Sequence, residues 1–304
     1  MMMIELKNVS KSFGDIRAVQ DVSFVIPGGR TTIIAGADGA GKSTIFKMLV
    51  GLVHRDSGAI FLKGEDIGHD YHKITGIAGY MPERFSLYQD LGVEENLNFF
   101  SDIYQIPRKQ REERKQRLLE KTGMLPFKKR RAGALSGGMK QKLALSCILL
   151  SAPEFIILDE PTTGVDPLSR IEFFNIITGL KAEGKTIVIS TPYLDEAEQG
   201  DYIVFLRCGR IIRQESMKLL KENFSARLFN ILPDGNIYQI LQQLKKDERL
   251  KDKVYIRGKY IKYLQPESEQ NFVSLIPHIH VAEEKPKLED IYIYYERMSN
   301  TSTR

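Results

Sequence analysis

The sequence is poor in cysteine and has no long apolar segment. Its two cysteines are Cys147, in an apolar helical pattern, and Cys208, beside Gly209. Their spacing fits neither a zinc site nor a disulfide framework, so we expect both to be reduced packing residues. No apolar run reaches the roughly 18 residues that a membrane-spanning helix needs, and the N-terminal stretch lacks the apolar core of a signal peptide. These absences predict a cytosolic chain that neither spans nor crosses a membrane.

Charge and histidine are also limited. The formal net charge is +5, and the basic residues of 108–117 alternate with acids, as on a solvated helix face. The KKRR run at 128–131 is short, and we expect a solvated loop there, with a nucleic-acid or anionic-lipid surface as the alternative. His278 and His280 alternate as in a strand and form at most half of a metal site, so we expect them to face solvent. The composition therefore predicts no nucleic-acid partner.

The most informative stretch is GADGAGKST, residues 36–44. It fits the phosphate-binding pattern G-x-x-x-x-G-K-[ST], between an apolar, β-branched run, Thr31–Ala35, and a helix-like run, Ser43–Leu52. Glycines let successive N–H groups point inward, the helix dipole and the lysine add positive charge, and the serine hydroxyl suits Mg²⁺. The alternative is a Gly-rich turn that matches the pattern by chance. The residues predicted to contact a nucleoside triphosphate are Gly36, Ala37, Asp38, Gly39, Ala40, Gly41, Lys42, Ser43 and Thr44.

An acidic pair ends a strand-like run later in the chain. FIILDEP, residues 155–161, has consecutive apolar residues, typical of a strand covered on both faces, followed by Asp159 and Glu160. Asp159 at the strand end can reach Mg²⁺, directly or through water, and Glu160 can polarise an attacking water. The alternative is a plain strand-end turn, but buried acids are rarely structural without a metal or a base as partner.

The remaining patterns divide the chain into regions. Residues 4–34 are β-rich, which predicts an antiparallel sheet, and residues 74–81 predict a buried strand. From about residue 83 to 150 helix formers dominate, which predicts a helical insertion. Residues 223–304 predict a small α/β domain with a strand at 226–233 and a hairpin that turns at Gly258. The polar tail, residues 299–304, is expected to be disordered.

The segment LSGGMKQKL, residues 135–143, lies between the phosphate loop and the acidic pair. Together, the three motifs resemble the nucleotide-binding subunits of ATP-binding cassette (ABC) transporters, whose signature sequence has this form. The resemblance covers residues 4 to about 222. It implies an α/β fold of the P-loop NTPase, ABC ATPase type, with a mixed sheet core, an antiparallel β flank and a helical subdomain at about 83–150. The expected domains are thus a nucleotide-binding domain, 1–222, and the small α/β domain, 223–304.

The resemblance also implies a head-to-tail dimer with two ATP molecules, each held by one subunit's phosphate loop and its partner's signature. Since the signature opens a helix, its N–H groups suit the γ-phosphate of an ATP bound across the interface. Phe13 is implied to stack on adenine, with an ordinary core phenylalanine as the alternative. Asp166 is implied to lie in the loop that senses the other site, with a helix N-cap as the alternative. The signature residues concerned are Ser136, Gly137 and Gly138.

Two positions depart from the family pattern. Where the family places a glutamine that meets Mg²⁺ and the attacking water, this chain has Glu83, an additional carboxylate. Where the family has a histidine at the γ-phosphate, this chain has Pro192, which offers neither a proton nor a side-chain hydrogen bond. We therefore hypothesise an ATP site that binds nucleotide but is catalytically weakened. Candidate catalytic residues are Lys42, Glu83 and Glu160, and candidate Mg²⁺ ligands are Ser43, Glu83 and Asp159.

The end of the chain narrows the class further. Residues 286–291 form a P-x-L-E-D-I-like run that resembles extensions on ATP-binding subunits of the ABC-2 exporter class, with an expected regulatory or dimer-stabilising role. The prediction is a cytoplasmic ATPase subunit, peripheral at the inner face of the cell membrane, with ATP and Mg²⁺ as cofactors. Its expected partners are a separate transmembrane permease and a second ABC nucleotide-binding subunit, in a homo- or heterodimer. The alternative is a nucleotide-sensing or soluble ABC ATPase that is not coupled to transport.

Overall fold

The structure, a computed structural model, describes residues 2–267 and 273–301. It divides into two compact units, Met1–Gln214 and Glu215–Arg304. The sequence pattern places a domain boundary after Glu222 instead. The division after Gln214 falls inside a strand, Arg210–Ser216, so the chain passes from one unit to the next within a regular element.

The first unit contains two sheets and a set of helices. Its strands are β1 (Met2–Phe13), β2 (Ile16–Pro27), β3 (Thr31–Ala35), β4 (Ser57–Leu62), β5 (Glu65–Asp66), β6 (Ala78–Met81), β7 (Phe155–Asp159), β8 (Thr186–Thr191), β9 (Tyr202–Arg207) and β10 (Arg210–Ser216). Its α-helices are α1 (Lys42–Leu49), α2 (His72–Thr75), α3 (Val93–Ile103), α4 (Arg108–Lys121), α5 (Gly137–Leu149), α6 (Pro167–Ala182) and α7 (Leu194–Ala197). Short 3₁₀ turns lie at Leu125–Phe127 and Ala132–Ala134.

The larger sheet has the strand order β10-β9-β3-β8-β7-β6. Neighbouring strands from β9 to β6 run parallel. Every residue of β3, β7 and β8 is buried, as expected for parallel strands that are covered on both faces. The carboxyl ends of these strands meet at one edge, where Ala35 pairs with Thr191 and Asp159 pairs with Ser190. This edge brings the predicted phosphate loop and the acidic pair together.

A two-residue turn between β9 and β10 makes this sheet mixed. Cys208 and Gly209 both have positive φ, 46° and 76°, as the type I′ turn of an antiparallel hairpin requires. The flanking sheet, in the order β2-β1-β4-β5, is antiparallel. Apolar side chains from both sheets and from α1, among them Leu6, Phe46 and Val204, form one core. The core therefore fixes the β1–β2 hairpin and the phosphate-loop helix to the parallel sheet.

A helical segment is inserted between β6 and β7. Its helices α3, α4 and α5 enclose an apolar cluster of their own, which includes Leu97, Leu119 and Leu143. α5 begins after Ser136, whose hydroxyl accepts a hydrogen bond from the Met139 N–H (3.3 Å) as an N-cap. The start of α5 therefore belongs to a helical segment that has its own apolar core.

The second unit is an antiparallel sheet with helices. Its elements are α8 (Met217–Glu222), β11 (Ala226–Pro233), α9 (Ile237–Leu244), β12 (Val254–Arg257), β13 (Tyr260–Pro266), a 3₁₀ turn (Val273–Leu275), β14 (His278–Glu284) and α10 (Leu288–Thr301). The strand order is β12-β13-β11-β14. Phe229 and Ile231 of β11 pack with α9, whereas the alternate residue Leu228 packs beside Ile293 of α10. The sheet therefore has an apolar layer on each face.

Three local predictions in the first unit are wrong. α1 ends at Leu49, and Leu52 is 66% exposed because Gly51 (φ 73°) terminates the helix. Residues 74–81 are not one strand, since α2 ends at Thr75 and β6 begins at Ala78. Cys208 is exposed rather than a packing residue, because it occupies the hairpin turn between β9 and β10. Each error lies at a turn, at residues 50–51, 76–77 or 208–209.

In the second unit, α10 runs to Thr301, so the predicted disorder is wrong for 299–301, and residues 302–304 lie outside the described residues. His278 and His280 are exposed on β14. Within residues 2–267 and 273–301, no group of three or more His, Cys, Asp or Glu side chains is placed to hold a metal ion. Over these same ranges, no helix has both the length and the apolar character required to cross a bilayer.

Candidate nucleotide-binding site

The predicted phosphate loop joins β3 to α1 in a backbone shape that glycine adopts freely. Gly39 and Gly41 have φ angles of 78° and 107°. A Cβ atom on Gly41 would lie 2.4 Å from the Ala18 carbonyl oxygen, and one on Gly36 would lie 2.2 Å from that of Leu206. The loop is therefore packed so closely against β2 and β9 that side chains at these positions would collide with backbone.

The Lys42 side chain is held inside this loop. It is 3% exposed, and its ammonium donates hydrogen bonds to the carbonyl oxygens of Gly36 (2.8 Å) and Ala37 (3.1 Å). The same group forms an ion pair with Glu160 Oε1 at 3.0 Å. A buried ammonium needs such partners, since transferring a charge out of water is costly. The positive charge expected for phosphate is present, and a carboxylate compensates it.

Asp159 connects the loop to the acidic strand end. Its Oδ1 atom accepts hydrogen bonds from Ser43 Oγ (3.0 Å) and Ser190 Oγ (2.6 Å). Burial raises the pKa of Asp159 and the neighbouring Glu160 raises it further, although the two serine hydrogen bonds lower it. A hydroxyl beside a carboxylate provides hard oxygen ligands, which Mg²⁺ prefers. Ser43 and Asp159 therefore fit the predicted Mg²⁺ position.

Glu160 follows directly and has a left-handed backbone, with φ 47°. This conformation is uncommon for a residue other than glycine and is often found at functional sites. The Glu160 N–H donates to Ser190 Oγ (2.9 Å), and its Oε2 accepts from Thr163 Oγ1 (3.2 Å). Since Oε1 contacts Lys42, both carboxylate oxygens are engaged. Three neighbouring residues therefore orient the candidate general base.

A cleft of about 600 Å³ opens beside these groups and is lined by the phosphate loop, Glu160 and the β1–β2 hairpin. Sequence patterns did not indicate several of its lining residues, which are Asp15, Ile16, Arg17, Ala18, Gln20 and Cys208. Phe13 is 48% exposed and is therefore not a core residue. It pairs across the hairpin with Ile16, which is 70% exposed and lines the cleft. Ile16 is thus a large apolar side chain at the cleft wall, and Phe13 is not among the residues that line the cleft.

The three signature residues begin α5 and have different surroundings. Ser136 is the N-cap, and Gly137 is exposed. Gly138 is buried. It packs so closely against α6 that a Cβ atom at this position would lie 2.4 Å from Ser169 Cβ. Its lack of a side chain therefore allows α5 and α6 to approach closely. The cleft described above is lined by other residues, so in this chain the signature and the phosphate loop are separate features.

Asp166 is the N-cap of α6. Its carboxylate accepts a hydrogen bond from the Ser169 N–H at 3.0 Å, ahead of Pro167 at the first helical position. Hydrogen bonding to Ser169 lowers the pKa of Asp166. The capping alternative therefore describes Asp166 in a single chain. A role in sensing a second site stays a prediction.

Glu83 and Pro192 lie on the segments that follow β6 and β8. Glu83 is exposed. Burial, the Asp159 carboxylate and, to a smaller extent, Glu83 raise the pKa of Tyr80, so both carboxylates act on the Tyr80 hydroxyl. Pro192 is half-buried directly after Thr191. Both departures from the family pattern therefore follow the carboxyl ends of strands in the parallel sheet.

Sequence reasoning missed the residues that support the acidic pair. Ser190 contacts both Asp159 and the Glu160 N–H, and the buried Glu196 contacts two threonines near the same strand ends. A serine near the end of a strand and an acid on a short helix are common, so neither carries a sequence signal. Their position in the parallel register, with Asp159 paired to Ser190, is what brings them to the site.

A phosphate loop and an acidic strand end on strands of one parallel sheet define a P-loop nucleotide-binding protein, and the helical insertion before β7 narrows that class. The ABC transporter family matches residues 19–163. The chain is 38% identical, over 96% of its length, to the probable multidrug ABC transporter ATP-binding protein YbhF of Escherichia coli (strain K12). It is 32% identical to the Nod factor export ATP-binding protein I of Rhizobium sp. (strain N33), with 95% of each chain covered. This chain belongs to the ABC transporter family.

A solved structure agrees with this assignment. The dimeric post-hydrolysis state of the ATP-binding cassette MJ0796, bound to ADP and Pi, matches with a TM-score of 0.63 and 26% identity, over 71% of this chain and 99% of that one. The predicted P-loop NTPase fold of ABC ATPase type is therefore confirmed. The chain spans 51% of the length of YbhF.

Proposed function

We propose that this protein is the ATP-binding subunit of an ABC transporter, which binds and hydrolyses ATP at a dimer interface to drive export through a separate membrane permease. Two relatives support the transport assignment, since one is called a multidrug ABC transporter ATP-binding protein and the other a Nod factor export ATP-binding protein. On this proposal the chain works in the cytoplasm, peripheral at the inner face of the cell membrane, and the permease selects the substrate.

The observation that carries the proposal is the Lys42–Glu160 ion pair inside the phosphate loop. Phosphate oxygens would compete with the Glu160 carboxylate for the buried Lys42 ammonium, because both anions need the same cation. Once a triphosphate takes Lys42, Glu160 is free to accept a proton from the attacking water. The ion pair therefore makes the general base available when nucleotide is in place.

The Mg²⁺ position follows from the oxygen atoms around Asp159. Ser43 Oγ and the Asp159 carboxylate would hold the ion, and Ser190 keeps that carboxylate oriented through its 2.6 Å hydrogen bond. When bound, Mg²⁺ neutralises the negative charge of the phosphates during transfer. The roles of Lys42, Glu160, Asp159 and Ser43 as ATP and Mg²⁺ contacts are part of this proposal.

We further propose that the ATP site on this chain's phosphate loop is catalytically weakened. Glu83 adds a carboxylate to the segment after β6, and beside Asp159, Glu160 and a triphosphate it would add like-charge repulsion. Pro192 cannot donate a hydrogen bond to the γ-phosphate. Because Glu160 is retained, hydrolysis is expected to be slow rather than abolished.

A second cassette is needed to complete each site. The start of α5 offers N–H groups at Gly137 and Gly138 on a 13-residue helix, which is suited to phosphate, but it does not line the cleft of its own chain. The cassette MJ0796 is dimeric in its ADP- and Pi-bound state. We propose that Ser136–Gly138 complete the ATP site of a more orthodox second cassette in an asymmetric heterodimer, with a homodimer as the alternative.

The weakened site is tested by restoring both positions. The wild-type chain is expected to bind MgATP in a filter or fluorescence assay but to hydrolyse it slowly, and Glu83→Gln with Pro192→His is expected to raise kcat about 10-fold. Glu160→Gln in the same background is the control and should abolish that gain. Hydrolysis by the wild-type homodimer at the speed of the restored variant would overturn the proposal of a weakened site.

The transport assignment is tested by its partners. Affinity purification of the tagged chain from its native membranes should recover a polytopic membrane protein and a second cassette. Recovery of ribosomes or DNA-associated proteins instead would contradict the exporter proposal. ATP binding with no hydrolysis and no membrane partner would favour the nucleotide-sensing alternative, which Pro192 supports.

A further inference from the structure

A buried carboxylate outside the phosphate cleft links the loops that surround the site. Glu196 on α7 is 4% exposed. It accepts hydrogen bonds from Thr162 Oγ1 (2.6 Å) and from Thr191 Oγ1 (2.7 Å), and Arg170 Nη1 lies 3.5 Å from Oε1. A carboxylate with this many donors is satisfied despite its burial. Three separate elements therefore converge on one side chain.

Both threonines continue directly into the candidate site. Thr162 follows Glu160 by two positions, in the loop whose Thr163 hydroxyl contacts the Glu160 carboxylate (3.2 Å). Thr191 ends β8 beside Ser190, and its carbonyl oxygen accepts from the N–H of Gly36, the first residue of the phosphate loop (3.4 Å). Glu196 is thus one hydrogen bond away from the segment of the general base and from the strand end that supports the phosphate loop.

Arg170 extends the same connection to the adjoining turns. Its Nε atom donates to the Val165 carbonyl oxygen (2.9 Å), and its guanidinium lies 4.3 Å from the centre of the Tyr193 ring. The Tyr193 N–H in turn donates to Thr191 Oγ1 (3.0 Å). Residues 162–165 and 191–193 are therefore held to one another by side chains rather than by sheet hydrogen bonds.

We propose that Glu196 is a positioning residue for ATP hydrolysis, which fixes the loop after β7 and the segment after β8 in one arrangement. The inference rests on the proposed ATPase function and adds a residue to it. Where Pro192 provides no side-chain donor, the backbone of this segment is still held in place through Thr191 and Glu196. A shift of about 1 Å in a supporting loop can reduce a rate about 100-fold, so the arrangement affects chemistry without contacting nucleotide.

The test compares variants that remove one hydrogen bond each in the full-length chain. Glu196→Gln and Thr191→Val are expected to lower kcat for ATP about 10-fold and to change KM less than about 2-fold, because the phosphate loop itself is untouched. Thr191→Ser keeps the hydroxyl and should retain the wild-type rate. Asp195→Asn, an exposed acid on the same short helix, is the matched control. The Glu196→Gln/Thr191→Val double variant should lose less than the two single losses added together, since the two side chains act partly through their shared 2.7 Å hydrogen bond.

Hydrogen exchange provides a readout that does not depend on activity. Glu196→Gln should speed amide exchange in residues 160–166 and 190–194 together, whereas Asp195→Asn should leave both unchanged. Wild-type rates in Glu196→Gln, or rate losses that add fully in the double variant, would overturn the inference while leaving the ATPase proposal intact. A wild-type chain that binds ATP but shows no hydrolysis overturns the ATPase proposal and, with it, the positioning role.

Discussion

At the scale of single residues, the two cysteines differ in exposure, and this difference allows the cleft to be tested by chemical labelling. Cys208 is exposed and lines the cleft, whereas Cys147 is buried and its burial raises the pKa of its thiol. Since the thiolate is the reactive form, N-ethylmaleimide should modify Cys208 and leave Cys147 protected in the native protein. MgATP should slow this reaction several-fold by occupying the same cleft. Mass spectrometry of the modified peptides measures both effects.

The control for this labelling is Cys208→Ser, which should remove all rapid reaction without affecting ATP binding. Modification of Cys147 at a rate close to that of Cys208 would contradict the burial argument. A Cys208 rate that saturating MgATP leaves unchanged would mean that nucleotide does not enter the cleft lined by Cys208.

The residues of the candidate site were predictable to the extent that their patterns are local. Lys42, Ser43, Asp159 and Glu160 belong to short motifs that carry their own strand and helix context, and the structure brings all four together. Ser190, Ile16 and Glu196 carry no comparable pattern. Their contacts arise from strand register or from a hairpin that lies far away in sequence, which single-sequence periodicity does not encode.

At the scale of elements, the contact between α5 and α6 gives Gly138 a packing role that is separate from any phosphate contact. An added Cβ would lie 2.4 Å from Ser169 Cβ. Gly138→Ala should therefore lower the free energy of unfolding by about 2 kcal/mol, as is typical of overpacking. Thermal or denaturant unfolding without nucleotide measures this. Gly137→Ala is the matched control, because the nearest atom to its Cβ is the Gly164 carbonyl oxygen at an ordinary 3.5 Å.

A compensating change strengthens this test. Ser169→Gly removes the atoms that the new methyl group would meet, so the Gly138→Ala/Ser169→Gly variant should recover part of the lost stability. Equal effects of alanine at 137 and 138 would contradict the packing role. The outcome separates a signature glycine required for helix packing from one required for ligand approach.

Element types were predicted more reliably than element ends. The strand ahead of the phosphate loop and the helical character of 83–150 follow from periodicity. The end of α1 at Leu49 and the split of 74–81 into α2 and β6 were missed, because a glycine or a short turn decides them. Apolar runs of that length suit a strand and a buried turn equally well.

At the scale of the whole molecule, the chain consists of two units with separate cores. The sequence predicted a nucleotide-binding domain and a small α/β domain, with a boundary after Glu222. The structural division after Gln214 cuts β10, so a fragment that ends at 222 keeps β10 and α8 complete. A change of composition indicates roughly where one domain ends. Where β10 ends is decided by hydrogen bonding between strands, which composition does not show.

The second unit contains a buried carboxylate, Asp290, whose hydrogen bonds can be removed by a mutation far in sequence from the phosphate loop. Asp290 is fully buried at the start of α10, accepts a hydrogen bond from the Tyr255 hydroxyl, and accepts another from the Lys287 N–H at 2.7 Å. Burial and this carboxylate raise the pKa of Tyr255, so the phenol stays protonated as the donor. Removing the carboxylate leaves buried donors without their acceptor.

A mutation of Asp290 can therefore test, in the full-length chain, whether the two units unfold independently. If the two units unfold separately, calorimetry should show two transitions. MgATP should raise the unfolding temperature of the unit that contains the phosphate loop, because a ligand stabilises the state that binds it. Asp290→Ala should lower the free energy of unfolding of the second unit by about 3 kcal/mol, as expected for breaking a buried polar network. Glu289→Ala, which removes an exposed ion pair with Arg257 (2.8 Å), is the matched control and should have little effect. A single transition that both MgATP and Asp290→Ala shift would show instead that the two units unfold as one.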